Sequence, residues 1–464
     1  MDAAARDALL AAFGPARCEL EPAVEHYTAY GGSVGGRPLA LLRPRSPEDV
    51  VAMVRHCAAA RIGMVPQGGR TGLAAGAVPT AAQADRVVVI AMGGLDRVRE
   101  IDPVGRTATV DAGCTLDAVE AAVTAHGLTF PLRLGSSGSA EIGGIIASNA
   151  GGIQAWRHGS ARQLVLGIEA VLADGSLWSS LRAVRKASLG PDIGGLFIGS
   201  EGILGIVTGA VLALATPAAG SRTTLLALAD ADAAAPLFRL CAAGGELEAF
   251  ELLSRNGLGL LAAAEPELAP AMLLDQPWTV LAEWSASDDG LGERVEAILA
   301  RALDAGLAAD GLLARHERDR SRFWQIRGRH GAACRRRGRP VQHDVAVPLA
   351  ALGSFLDAAT ALARRLAPDW LPVPIAHVGD GNIHFDLVPA GTGAADHAAV
   401  GELSAALHDL AHEAGGVFSA EHGIGATKVA ELRRLTPPGN YAAMRAVKAA
   451  LDPLGLMNPL KVLA

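Results

Sequence analysis

The feature that most constrains this chain is Pro66–Gly76, Pro-Gln-Gly-Gly-Arg-Thr-Gly-Leu-Ala-Ala-Gly, where four glycines fall in eleven positions between two apolar runs. Glycine reaches positive φ without strain and carries no Cβ, so successive backbone N–H groups can turn inward and cradle a diphosphate. An ordinary glycine-rich surface loop has the same composition. A second small-residue segment decides between them: Leu134–Gly152, Leu-Gly-Ser-Ser-Gly-Ser-Ala-Glu-Ile-Gly-Gly-Ile-Ile-Ala-Ser-Asn-Ala-Gly-Gly, again offers amides and hydroxyls in place of bulky side chains. Two such segments suit a long ligand with a pyrophosphate at its centre.

The remaining composition narrows the class. At 464 residues and 50% apolar, the chain can bury a large core and is too long for one ordinary domain. Its 41 Lys plus Arg against 48 Asp plus Glu give a formal charge of −7, with Arg335–Arg337 the one basic block, which argues against a nucleic-acid partner. The five cysteines, Cys18, Cys57, Cys114, Cys241 and Cys334, are scattered and read as reduced structural thiols. The start, Met-Asp-Ala-Ala-Ala-Arg-Asp, has no basic region followed by an apolar one, and no later stretch is apolar for long enough to span a membrane. The expectation is a soluble, cytoplasmic protein.

Periodicity and punctuation mix α with β. Residues 1–36 read as one helix and an irregular arm ending in Gly31-Gly32-Ser33-Val34-Gly35-Gly36. Ser46-Pro47-Glu48-Asp49 starts a helix running to about Ala60, and Thr115 caps another ending near His126. Val87–Met92, Thr107–Asp111, Val165–Ala173 and Gly205–Leu214 read as strands. They form a cofactor domain over 1–216 that lacks the strand, Gly-x-Gly-x-x-Gly and helix order of a Rossmann unit. Pro217–Gly220 marks a boundary. Beyond it, strands at Thr223–Leu228 and Leu247–Leu252, helices at Leu291–Ala305, from Ser321 and at Leu349–Leu366, and a strand pair near 373–387 make a second, α+β domain over 217–464.

The sharpest chemistry is Ala376-His377-Val378-Gly379-Asp380-Gly381-Asn382-Ile383-His384-Phe385-Asp386. With Gly-Asp-Gly-Asn as the turn, His377 faces His384 across a hairpin, near enough for two imidazoles to share a metal, and Asp386 follows on the face of His384. Two structural histidines flanking a hairpin would look the same. A third ligand distinguishes them, and Ser419-Ala420-Glu421-His422-Gly423 offers a carboxylate beside an imidazole. Two histidines and one carboxylate leave positions open, as a catalytic metal needs; the donor set favours zinc and allows manganese or iron. Glu421-His422 could equally cap a helix before Ala426-Thr427-Lys428-Val429.

These motifs, together with Arg157-His158-Gly159 and Phe197-Ile198-Gly199-Ser200-Glu201-Gly202, resemble flavoproteins of the vanillyl-alcohol oxidase type, in their FAD-linked D-2-hydroxyacid dehydrogenase branch, over nearly the whole chain. The resemblance implies a two-domain α+β flavoprotein with an FAD-binding domain and a substrate (cap) domain, the C-terminal segment packing back on the FAD domain. It implies FAD contacts at Pro66, Gln67, Gly68, Gly69, Arg70, Thr71, Gly72, Leu73, Gly76, Gly135, Ser136, Ser139, Gly143, Gly144, Ser148, Asn149, Gly151, Gly152, Glu201, Gly202, Ile206 and Asn458. No histidine stands in the glycine loop, so the FAD is expected to be noncovalent. It further implies His377, His384 and Glu421 as metal ligands, His422 as catalytic base, and Arg327, in Trp324-x-x-Arg327, as the grip on the substrate carboxylate, with Gln342 and Asp386 also touching substrate.

The implied activity is oxidation of D-2-hydroxyglutarate, D-lactate or a related D-2-hydroxyacid. Rival readings are a flavin oxidase using oxygen, an aryl-alcohol oxidase, or a flavin-binding subunit of a larger complex. An electron-transfer flavoprotein or a quinone is the expected acceptor, and the resemblance allows a homodimer. Many relatives carry lysine in place of Gln342 and threonine in place of Gly331, so recognition of a second carboxylate should be weaker here, and lysine at 342 should favour the diacid.

Overall fold

The computed structural model describes all residues except 1, 22–26, 28, 31–32, 269–270, 392–396 and 464, so Gly31 and Gly32 of the expected arm lie outside the described residues. The fold is α+β and divides into two units. The first comprises 1–152, 158–217 and 421–464, the second 153–157 and 218–420.

Among its described residues the first unit is built on two larger sheets, beside the short pair Ala29–Tyr30 and Ser33–Val34. In one, Cys18–Glu19, Leu41–Leu42, Val87–Ala91 and Gly63–Gln67 lie side by side. The last three are mutually parallel, so Gly63–Gln67 and Val87–Ala91 end at the same edge, where ligands gather in parallel sheets. The other is antiparallel, in the order Leu177–Ser179, Val165–Val171, Ile206–Ala213, Thr107–Asp111, Val98–Asp102. Between them runs the helix Pro47–Ala59, started as its sequence requires: the Ser46 hydroxyl accepts the Asp49 N–H at 3.2 Å and proline opens the first turn. Its Val50, Met53, Val54 and Cys57 share one core cluster with Met64, Val88 and Ile90 of the first sheet and Val171 and Ile206 of the second. Thr115 likewise caps Leu116–Thr124 through the Ala118 N–H.

The second unit is built on one antiparallel sheet, ordered Asp310–Leu313, Gly220–Leu228, Trp278–Ala286, Leu247–Ser254, Ile375–His377, Asn382–His384, Asp344–Ala346. Strand side chains alternate, and the two faces differ in chemistry. Phe250, Leu252, Val280, Ala282, Trp284, Val345, Ala376 and Ile383 point to one face, where they pack with Leu237, Phe238, Val295, Phe355, Leu356, Leu403 and Leu407 from four helices. The opposite face carries Leu225, Leu253, Leu281 and Ile375 against the helices Arg255–Ala264 and Glu317–Arg337. It also carries Glu251, Glu283, His377, Asn382, His384 and Asp344. The helix Glu317–Arg337 begins one turn before Ser321 and supplies partners for two of these acids: Arg320 and Trp324 bond Glu283, and Arg327 bonds Glu251.

The histidine hairpin corrects one sequence expectation. His377 pairs with Asn382, and His384 with Ile375, so the two histidines are diagonal neighbours on one face. The turn is a short 3₁₀ segment, Val378–Asp380, followed by Gly381 at φ 75°, which shifts the register by one pair. A Cβ on Gly381 would also lie 2.1 Å from the Val347 carbonyl oxygen. Gly381→Ala is therefore expected to destabilise the protein by at least about 1–2 kcal/mol from the left-handed backbone alone, read as a lower urea midpoint.

Candidate functional site

In the first unit, the two glycine-rich segments come together. A Cβ on Gly69 would sit 1.6 Å from the Ser139 carbonyl oxygen, and one on Gly143 would meet Ala112 Cβ at 2.9 Å, so both close approaches require glycine. The result is a cleft partly open to solvent. Pro66, Gln67, Gly68, Gly69, Arg70, Thr71, Gly72, Gly76, Gly143, Gly144, Ser148, Glu201, Gly202 and Ile206 line it, and so does His422. Ser139 lines an adjoining pocket with Arg43, Arg45 and Arg70.

Several expected contacts have other positions. Gly135, Ser136, Gly151 and Gly152 do not line the cleft, and Leu73 faces outward, 42% exposed. Asn149 ends the helix Ile142–Ser148 in the left-handed conformation, its Oδ1 accepting from the Ser160 hydroxyl at 2.8 Å and the Arg162 N–H at 3.0 Å. Asn458 is buried behind the wall, where its amide donates to the carbonyls of Gly76 at 3.0 Å and Glu201 at 2.8 Å. These asparagines shape the cleft through backbone groups.

Glu201 does more than line the wall. Its carboxylate accepts the N–H groups of Ile424 and Gly425, each at 2.7 Å, and so anchors the turn that carries Glu421 and His422. Burial pushes its pKa up against the lowering effect of those two amides. Gly425, at φ 51°, lets this turn approach Ala74, whose carbonyl oxygen would lie 1.9 Å from a Cβ. Within the turn, His422 Nε2 and Glu421 Oε1 are 3.9 Å apart.

Glu141 went unnoticed in the sequence because it is neither glycine nor hydroxyl. It stands inside the second small-residue segment and lines the cleft, with Oε2 buried and without a hydrogen-bond partner. Burial raises its pKa to about 7 despite Arg70 nearby. Below the unfolded carboxyl value both states hold the proton; as pH rises to about 7 the unfolded chain releases it first, so stability is lost over that interval. The Tm of the cofactor-free protein should fall between about pH 5 and pH 8, and Glu141→Gln should flatten that fall; equal slopes would show that Glu141 is not the group responsible.

The second unit presents its chemistry on the polar face of the sheet. Glu251 is fully buried and bridges two neighbours, its Oε1 accepting from His377 Nδ1 at 2.6 Å and its Oε2 from Arg327 Nε at 2.7 Å. Burial alone would raise the Glu251 pKa, but His377 and Arg327 hold it at about 2. With Nδ1 donating to a carboxylate, His377 directs Nε2 toward His384, whose Nε2 lies 3.3 Å away. Two zinc–nitrogen bonds of about 2.0–2.1 Å at a tetrahedral angle separate their nitrogens by about 3.3–3.4 Å, so the pair fits a shared divalent ion, with Glu251 as the carboxylate that orients a metal-binding histidine.

Asp344 is buried 3.9 Å from His384 Nδ1 and is held by the Asn382 amide at 2.9 Å and the Ala420 N–H at 3.0 Å. Asp386 stands beyond His384, its Oδ2 accepting from Gln342 Nε2 at 3.4 Å; burial raises its pKa to about 6. Sequence reasoning did not single out Glu251 or Asp344. An acid within the apolar run Phe250-Glu251-Leu252-Leu253 was the available signal for the first.

Comparison with known proteins agrees with this geometry. Residues 38–180 match the FAD binding domain family and residues 218–462 the FAD-linked oxidase C-terminal domain family. A D-2-hydroxyglutarate dehydrogenase from Xanthomonas citri pv. viticola is 36% identical over 450 residues, covering 96% of this chain and 94% of that protein. The chain belongs to the FAD-linked D-2-hydroxyacid dehydrogenase branch of these flavoproteins. A mitochondrial D-2-hydroxyglutarate dehydrogenase from Bos taurus is 34% identical, covering 93% of this chain and 78% of the relative. Among solved structures, p-cresol methylhydroxylase shares the fold, with a TM-score of 0.78 at 15% identity, covering 99% of this chain and 96% of that one. Alkyldihydroxyacetonephosphate synthase does so at 0.77 and 15%, covering 99% and 85%. Much of the first-unit cleft is lined by residues within the stretch that matches the FAD binding domain family. Among the described residues, no helix is long and apolar enough to cross a membrane.

Proposed function

We propose that this chain oxidises D-2-hydroxyacids to 2-oxoacids, with noncovalent FAD and a divalent ion, most simply zinc, as its cofactors. The observation that carries the metal half of this reading is the Glu251–His377–His384 arrangement, which orients one imidazole and spaces two ligand nitrogens for one ion. His377 and His384 would hold the ion, with Glu421 the third ligand that the family resemblance implies. When bound, FAD supplies a two-electron acceptor and the ion a Lewis acid that lowers the substrate hydroxyl pKa.

The chain's own residues supply position and proton transfer. Arg327 pairs with the substrate carboxylate, and Glu251 orients the guanidinium by engaging its Nε. His422, on the wall of the FAD cleft, accepts the hydroxyl proton as the Cα–H bond is broken. Asp386 and Gln342 meet the remainder of the substrate. D-2-hydroxyglutarate and D-lactate are the first candidates, the former being the substrate in the relatives' names. We place the protein in the cytoplasm, in keeping with five free, buried cysteines, and take an electron-transfer flavoprotein or a quinone as its acceptor.

Purified protein should be yellow and release FAD on denaturation. Chelation, His377→Ala or His384→Ala should each abolish turnover with a dye acceptor while FAD stays bound; full activity in a variant lacking metal would remove the metal from the reaction. His422→Asn should retain metal and FAD but slow flavin reduction in a single turnover by at least about a hundredfold. Reduction at the unaltered rate would exclude it as the base.

A further inference from the structure

Only four of the 41 basic side chains are lysine, and two of them, Lys448 and Lys461, stand near the end of the chain with their ammonium groups turned to backbone carbonyls. An ammonium converges three donors on one point, where a guanidinium spreads its donors over a plane. Lys448 Nζ donates to the carbonyls of Ile203 at 2.7 Å and Met457 at 2.8 Å. Lys461, 2% exposed, donates to those of Ala75 and Val78, each at 2.7 Å, at the end of the first glycine-rich segment.

Lys461 is one of three grips on this limb of the loop. The carbonyl oxygens of Ala74, Ala75 and Gly76 accept in turn from the Ala426 N–H at 2.8 Å, from Lys461, and from the Asn458 amide at 3.0 Å. In a trans peptide the carbonyl of one residue and the N–H of the next point to opposite sides. Three successive carbonyls drawn to C-terminal residues therefore turn the N–H groups of Ala75, Gly76 and Ala77 the other way, and among the described residues no acceptor meets any of them. Ala74, Gly76 and Ala77 line the cleft, whereas Asn458 and Lys461 do not. Successive N–H groups turned to one side form a nest for an anion. The segment that supplies two of the grips is itself strained. Asn458, Leu460 and Val462 have φ of 41°, 59° and 56°, a region that leucine and valine rarely enter. Such a conformation persists only where surrounding contacts over-determine it, and here the Asn458 N–H donates to the Met64 carbonyl at 2.7 Å, the Val462 N–H to that of Gly425 at 2.9 Å, and the Gln83 side chain to that of Pro459.

We infer that Lys461 is a positioning residue for FAD: by holding the Ala75 and Val78 carbonyls from behind, it turns the loop's N–H groups toward the diphosphate of the cofactor without lining the cleft itself. The inference rests on the FAD half of the reading above. Burial lowers the Lys461 pKa to about 8 despite Glu201 nearby, so the amine keeps its charge at neutral pH and adds a cation behind the loop. Lys461 thus acts on the phosphates, and a flavin without phosphate gives the nest nothing to hold.

The test compares the Kd of FAD with that of riboflavin for the full-length, cofactor-free protein at neutral pH, each read from flavin fluorescence. Riboflavin carries the same ring system with no phosphate, so it reports on the shape of the cleft and not on the nest. Lys461→Met, which keeps the length of the side chain and removes its donors, should raise the Kd of FAD by at least about tenfold and that of riboflavin by less than about twofold. Lys461→Gln, a milder change that keeps donors but loses reach and charge, carries the same comparison if the methionine variant is not recovered folded. An unchanged Kd for FAD, or equal weakening of both flavins, overturns the inference and leaves the FAD reading standing. Failure of the unaltered protein to bind FAD removes that reading and the inference with it.

Discussion

The chemistry of the second unit depends on one buried carboxylate. Glu251 has no access to water, so its charge is tolerable only because His377 and Arg327 donate to its two oxygens. Removing either partner would leave a buried charge uncompensated, an effect typically costing about 3–5 kcal/mol. The same contacts set function: one chooses the His377 tautomer and points Nε2 at His384, the other orients the Arg327 guanidinium. A single side chain on a central strand thereby couples a helix, the histidine proposed to hold the metal and the arginine proposed to anchor the substrate.

The first unit relies on close approach instead of charge. Gly69 against Ser139 lets the two glycine-rich segments meet, and Gly143 seats the helix Ile142–Ser148 on Ala112, at distances that any side chain would prevent. Glu201 then performs the one polar task that glycine cannot, receiving two adjacent N–H groups and holding the turn of Glu421 and His422 to the cleft. Asn149 and Asn458 act in the same indirect way, through carbonyls and amides of the wall. Much of what a motif makes look like ligand contact is therefore the carpentry that positions the backbone.

The two faces of the seven-stranded sheet explain why polar residues can be gathered between its central strand and one edge. Four helices cover the apolar face, giving the sheet its stability. The other face can then carry Glu251, His377, His384 and Asp344, provided each has a partner of the right charge.

By itself the sequence determined the local features. Ser46 and Thr115 cap helices because their hydroxyls meet N–H groups a few residues away, and the strands Thr107–Asp111, Val165–Val171 and Ile206–Ala213 follow from β-branched and apolar runs. The glycine loops and the His377–His384 motif were visible for the same reason: their chemistry lies within a few neighbouring residues. Tertiary structure decided whatever depends on distant partners. The assignment of 153–157 to the second unit and 421–464 to the first has no local signature. The diagonal register of the histidines follows from Gly381, whose positive φ moves the turn by one pair, and turn type is not written in Gly-Asp-Gly-Asn alone. Glu251 and Glu141 look like ordinary acids in the sequence; burial, and the presence or absence of partners far along the chain, makes one a permanent anion and holds the other near neutrality at about 7.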